Sequence, residues 1–91
     1  MLNIVVSKKF RKDLSVAMKC GFDMNLLDRV VDMLANEETL PAQYQDHALI
    51  GEYKKFRECH VKPNWLLIYR VDNEDLELYL FRTGTHSDLF K

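Results

Sequence analysis

The sequence predicts an α+β domain in the order β-α-α-β-β-β, with one helix hairpin packed on one face of a mostly antiparallel sheet. Three observations predict it. Apolar residues recur at helical spacing between residues 8 and 35. From residue 52 to residue 82 they alternate or run together, as strands do. Gly21, Pro63 and the polar run Asp72–Asp75 fall where elements must end.

Met1–Val6 is a short β-branched stretch and reads as a strand. Ser7 is placed to cap a helix whose apolar positions are Phe10, Leu14, Ala17 and Met18. Gly21 ends it, and Asp23 caps a second helix on Leu26, Leu27, Val30, Val31 and Leu34. The short connection makes the two an antiparallel hairpin. Thr39–Gly51 has no clear period and reads as a loop bounded by Pro41 and Gly51. Residues 52–61 read as a strand. Phe56, Glu58 and His60 face one way; Arg57, Cys59 and Val61 face the other. Pro63 belongs to a turn. Trp65–Val71 is the most apolar run in the chain and reads as a central strand buried on both faces. Leu76, Leu78 and Leu80 alternate with Glu77, Tyr79 and Phe81 in a last strand ending near Arg82, and Gly84 precedes a tail, THSDLFK. The last three strands make a meander, with the first strand at an edge or beside the last.

Bulk properties exclude several classes. With 91 residues, the chain forms one domain (1–91) with one core. Trp65–Tyr69 is too short to cross a bilayer, and MLNIVVSKKF lacks the pattern of a signal peptide. Cys20 and Cys59 are too few for a disulfide framework, so both are expected reduced in a cytoplasmic protein. The net charge of −1 gives no sign of a general nucleic-acid binder. Residues 47–70 nevertheless hold five basic and two acidic side chains, a local basic surface.

The residues able to carry chemistry lie outside the helices. His47 is in the loop, His60 at a strand end and His86 in the tail. Convergent imidazoles suit general acid–base work near neutral pH. The competing reading is three unconnected surface histidines. A metal site, as in a metal-dependent hydrolase, is the competing functional reading and the weaker one: Cys59 and His60 point to opposite faces, and no HxH, HxxxH or CxxC spacing occurs. Ser87 stands between His86 and Asp88, but no G-x-S-x-G elbow accompanies it. Lys54, Lys55, Arg57, Lys62 and Arg82 are candidate phosphate contacts. Tyr53, Trp65 and Phe90 are candidate stacking surfaces for unpaired bases. Histidines, cations and aromatics at one sheet end suit RNA cleavage without a metal, in which the 2′-hydroxyl attacks the adjacent phosphate.

Three stretches, LPAQYQDHALIG (40–51), FRECHVKPNWLLIY (56–69) and RTGTHSDLF (82–90), together resemble the YafQ branch of the RelE-like toxins. The resemblance covers essentially the whole chain. It implies the toxin half of a type II toxin–antitoxin module: a ribosome-dependent endoribonuclease, without cofactor, that cuts mRNA in the A site and blocks translation. It implies as partners a cognate antitoxin, the ribosome with its mRNA, and operator DNA reached only through the antitoxin complex. Carried over by motif, His47, His60 and His86 are site residues, with His86 matching the general acid. Phe90 matches an aromatic that orients the substrate, and Arg82 a cation for the phosphate. The chain departs from the family at Asn64, where an aspartate usually stands. An amide keeps hydrogen bonds but cannot exchange a proton. Two readings follow: an enzyme in which Asn64 orients rather than titrates, or a weakened or non-catalytic module that binds antitoxin or ribosome.

Overall fold

The computed structural model describes residues 1–90; Lys91, the end of the tail, lies outside the described residues. Its elements are β1 (Asn3–Val6), α1 (Lys8–Lys19), α2 (Met24–Ala35), β2 (His47–Ala48), β3 (Arg57–Lys62), β4 (Trp65–Asp72), β5 (Glu77–Gly84) and α3 (His86–Leu89). The strands form one sheet in the order β1-β5-β4-β3-β2. β1 lies at an edge parallel to β5, and β3-β4-β5 is the antiparallel meander.

Both predicted caps are in place. Ser7 accepts from the Phe10 amide and donates to the Phe81 carbonyl at 2.6 Å, which ties the start of α1 to β5. Asp23 accepts from the Asn25 amide. Gly21, at φ +80°, makes the turn between the helices. Both helices pack on one face of the sheet. Phe10, Leu27, Val30 and Leu34 meet Cys59, Val61, Trp65, Leu67, Tyr69, Leu78 and Leu80 there. The alternation read for β3 holds, with Cys59 and Val61 on the helix side.

Three segments differ from the sequence reading. The loop 39–51 contains β2, which pairs antiparallel with β3 (His47 with Glu58, Ala48 with Arg57). A two-residue strand has no periodicity to read and exists through its partner. The strand expected over 52–61 begins at Arg57, because Gly51–Tyr53 forms a 3₁₀ turn entered at Gly51 with φ +68°. The tail is helical. Thr85 and Asp88 form a reciprocal capping box, and this T-x-x-D pattern was the available signal. Leu89 is buried on Leu66 and Ile68, so α3 partly roofs the face opposite the helix hairpin, together with Leu49, Phe56, Phe81 and Phe90.

Candidate active site

Register assembles the site. One row across the sheet runs His47, Glu58, Ile68, Arg82. The next runs His60, Leu66, Gly84, and His86 follows two residues later. At ~4.8 Å per strand, the backbones of His60 and Gly84 stand about 10 Å apart across β4. Leu66 and Ile68 form an apolar floor between them on the face opposite α1 and α2.

A register shift between Ile68 and Tyr69 helps decide the layout. Tyr69 pairs with Leu80 but Ile68 pairs with Arg82, so Phe81 is an extra residue in β5. Strict alternation would place Arg82 in the row of Leu78 and Leu80, under the helices. The bulge pairs it instead with Ile68 of the open face and sends Thr83 into the core, 1% exposed. β1 stops pairing at Leu80, and Asp13 of α1 occupies the vacant edge. It accepts from Arg82 Nε at 2.6 Å, Arg82 Nη2 at 3.1 Å and the Thr83 amide at 3.1 Å. Bonding to Asp13 raises the Arg82 pKa against the opposing pull of burial; the charges of Asp13, Tyr53 and Asp88 add to the rise.

The imidazoles of His47 and His60 lie 6.5 Å apart, centre to centre. His47 Nε2 is 3.2 Å from Glu58 Oε2, and its Nδ1 is 2.6 Å from the Gln45 carbonyl oxygen. Both ring nitrogens thus face oxygen acceptors. Glu58 is 7% exposed, and sequence reasoning did not single it out. Its alternation with His60 was readable; its pairing with His47 depends on the unread strand β2. His60 Nδ1 is buried without a hydrogen-bond partner, beside a groove of about 250 Å³ lined by Gln43, Tyr44, Gln45 and Lys62. The His86 ring lies 4.9 Å from Phe90, which meets Tyr53 edge to face at 5.9 Å. Lys54 follows Tyr53 and is exposed.

Other expected site residues fall elsewhere. Trp65 is not a stacking surface: it is 2% exposed, packs on Phe22 at 4.9 Å, and donates Nε1–H to Thr83 Oγ1 at 2.8 Å. Its alternation parity places it under the helices. Arg57 lies on the helix side of β3 and pairs with Asp46 at 3.3 Å. Asp46 also accepts from the Tyr69 hydroxyl, whose pKa is raised chiefly by burial and then by that bond. Arg57 therefore braces the β2 loop instead of facing the histidines. Asn64 borders a groove with Gly21, Phe22, Asp23, Lys62 and Trp65, by the α1–α2 turn. Lys62 is exposed between this groove and the one beside His60.

Among the described residues, three or more metal-type ligand atoms converge within 4.8 Å at Asp72, Asp75 and Glu77, at the far end of the sheet. Asp72 there caps a turn, accepting from the Glu74 and Asp75 amides. At the histidine end both His47 nitrogens face oxygen acceptors, and Cys59 points away from His60. Burial, with the charges of Asp46 and Glu58, pushes the Cys59 thiol up to about 12, so it is no thiolate ligand or nucleophile near neutral pH.

The fold and site define a class: a small α+β domain that gathers imidazoles, a buried carboxylate and a paired arginine toward one end of its sheet. The chain belongs to the YafQ family, described as bacterial toxins of type II toxin–antitoxin systems, whose model matches residues 2–91. It is 42% identical over 89 residues to the mRNA interferase toxin YafQ of Escherichia coli K12, covering 97% of this chain and 95% of that one. A metal-bound toxin from Helicobacter pylori superposes with TM-score 0.94 at 51% identity, covering 99% of this chain and 100% of that one. YafQ in the E. coli DinJ–YafQ complex superposes with TM-score 0.91 at 40% identity, covering 100% of both chains. No helix among the described residues is long and apolar enough to cross a membrane.

Proposed function

We propose that this chain is a cytoplasmic endoribonuclease that cuts mRNA in the ribosomal A site by metal-independent acid–base catalysis and is held in check by a cognate antitoxin. The observation that supports the reading is the pair of adjacent rows holding His47, Glu58, Arg82 and His60, with α3 and His86 beginning two residues beyond Gly84. The ribose 2′-hydroxyl attacks phosphorus as His60 takes its proton. The P–O5′ bond breaks as His86 protonates the leaving oxygen, leaving a 2′,3′-cyclic phosphate. Arg82 stabilises the charge on the phosphorane, and His47, fixed by Glu58, supports the pair. Phe90 and Tyr53 hold a base, and Lys54 and Lys62 approach the backbone. The backbones of His60 and Gly84 stand about 10 Å apart, and α3 with His86 begins two residues beyond Gly84. The E. coli relative's complex with DinJ supports an antitoxin partner; operator DNA is reached through that complex.

The test is His86→Ala, with folding checked by circular dichroism. The folded variant loses message cleavage and growth arrest. Wild-type cleavage sites and rates in a folded His86→Ala protein would overturn the assignment. The amide at residue 64 favours a second reading, a module that binds antitoxin or ribosome without cutting. Primer extension in a translation assay separates the two: cuts by wild type remove the binding-only reading, and silence from both wild type and Asn64→Asp removes the enzyme.

A further inference from the structure

We propose that the open face carries a second RNA contact, centred on Arg70, that holds the single strand beyond the nucleotides at the cleaved bond. The proposal rests on the cleavage reading above. The Arg70 guanidinium carbon lies 5.4 Å from the centre of the Phe56 ring and 5.1 Å from that of Tyr79. Phe56 in turn stacks on Phe81 at 4.5 Å with 21° between the planes. Tyr53 meets Phe56, Phe81 and Phe90, so the aromatic surface runs continuously from Arg70 to the His86–Phe90 pair.

Arg70 differs from the other arginines of the sheet. Asp46 holds Arg57 and Asp13 holds Arg82, whereas no carboxylate pairs with Arg70 among the described residues. A guanidinium seated on ring faces keeps its in-plane N–H donors free for a phosphate. A cation set among half-buried aromatics is how proteins hold unpaired nucleic acid, with bases on rings and phosphates on charge. Its sequence position disguised it, inside the apolar run Trp65–Val71.

Geometry sets the reach. Leu66, Ile68 and Arg70 share one face of β4, so Arg70 lies about 13 Å from the His60–Leu66–Gly84 row. That spans about four phosphates at stacked spacing and fewer in an extended strand. Beyond Arg70 the face turns acidic: Asp72 pairs with Glu77 in the next register position, with Asp75 beside them. A phosphate is repelled there, so the contact ends at Arg70.

The experiment uses ribosomes programmed with messages that end one, two or four nucleotides from the cleaved bond, truncated on either side. In one series wild-type kcat/KM falls about tenfold when the distal nucleotides are removed, as for loss of one charge-assisted contact. Arg70→Gln is reduced by the same factor on the long message and matches wild type on the shortest; Arg70→Lys recovers part of the difference. An equal loss on long and short messages would overturn the proposal, placing Arg70 in the fold or on ribosomal RNA. So would weakened antitoxin binding with unchanged cleavage, which makes the patch a protein-docking surface. Failure of the cleavage reading is seen separately, as intact messages with wild type. An NMR titration with uncleaved tetranucleotide RNA then decides: shifts at Phe56, Arg70 and Tyr79 that a dinucleotide does not produce support the contact, and shifts confined to the histidine end overturn it.

Discussion

Asp13 lies nearly seventy residues from the arginine it holds, and Asp13→Asn is the change whose cost can be worked most directly from contacts. Its side chain is 15% exposed and accepts three hydrogen bonds, two from Arg82 and one from the Thr83 amide. Each bond to a charged group contributes about 1.5–3 kcal/mol. Asparagine keeps one acceptor oxygen, so one Arg82 bond persists at neutral strength while the other meets an amide donor. Arg82 is 24% exposed and recovers some hydration, which reduces the loss. The expected cost is about 2–3 kcal/mol, a fall in Tm of about 10–20 °C for a chain of this size. Urea denaturation of Asp13→Asn, Arg82→Met and the double variant measures it. A coupling of about 1–2 kcal/mol is expected, because the carboxylate matters chiefly through the guanidinium. A cost below about 0.5 kcal/mol, or the same cost with and without Arg82, would refute the reasoning. Below its melting point Asp13→Asn also cleaves message more slowly, since a loosened guanidinium meets the phosphorane less often.

Two further outcomes follow from the core. Cys59 has its thiol raised from 9.0 to about 12, so the folded state keeps a proton that the unfolded chain releases. That contribution is complete below pH 9, falls between pH 9 and 12, and amounts to at most about 4 kcal/mol. Denaturation midpoints measured across that range should fall less steeply for Cys59→Ala than for wild type, the remaining slope coming from Tyr69, whose hydroxyl is raised in the same direction. Trp65→Ala should cost about 3–5 kcal/mol, and Trp65→Phe about 1–2 kcal/mol for the bond that Thr83 Oγ1 no longer accepts, its own donation to the Leu66 carbonyl being kept. Folded Trp65→Phe cleaves at the wild-type rate; full stability with lost cleavage would return Trp65 to the substrate.

Much of the fold was legible because it depends on local chemistry. Ser7 and Asp23 cap where short polar side chains before apolar periods should, and the run at Trp65–Val71 had nowhere to go but the middle of a sheet. The three histidines were visible as residue types, and the family motifs placed them together. Three features were not legible. β2 is too short for a pattern, and with it went the pairing of His47 with Glu58. The bulge at Phe81 changes the parity of Arg82 and Thr83, and one extra residue leaves no trace in alternation. The bracing role of Arg57, and the helix-side placement of Trp65 that removes it from the substrate, follow from which face of the sheet the helices cover.

The sequence by itself therefore determined the helix hairpin, the central strand, the meander and the set of titratable groups, since each follows from spacing and side-chain type within a few residues. The tertiary structure alone decided which of those groups share a face. Asp13 reaches Arg82 only across the edge left where β1 ends, and Glu58 meets His47 only through register. Parity and register are properties of paired strands, which is why a candidate stacking residue became core and an unmarked glutamate joined the site.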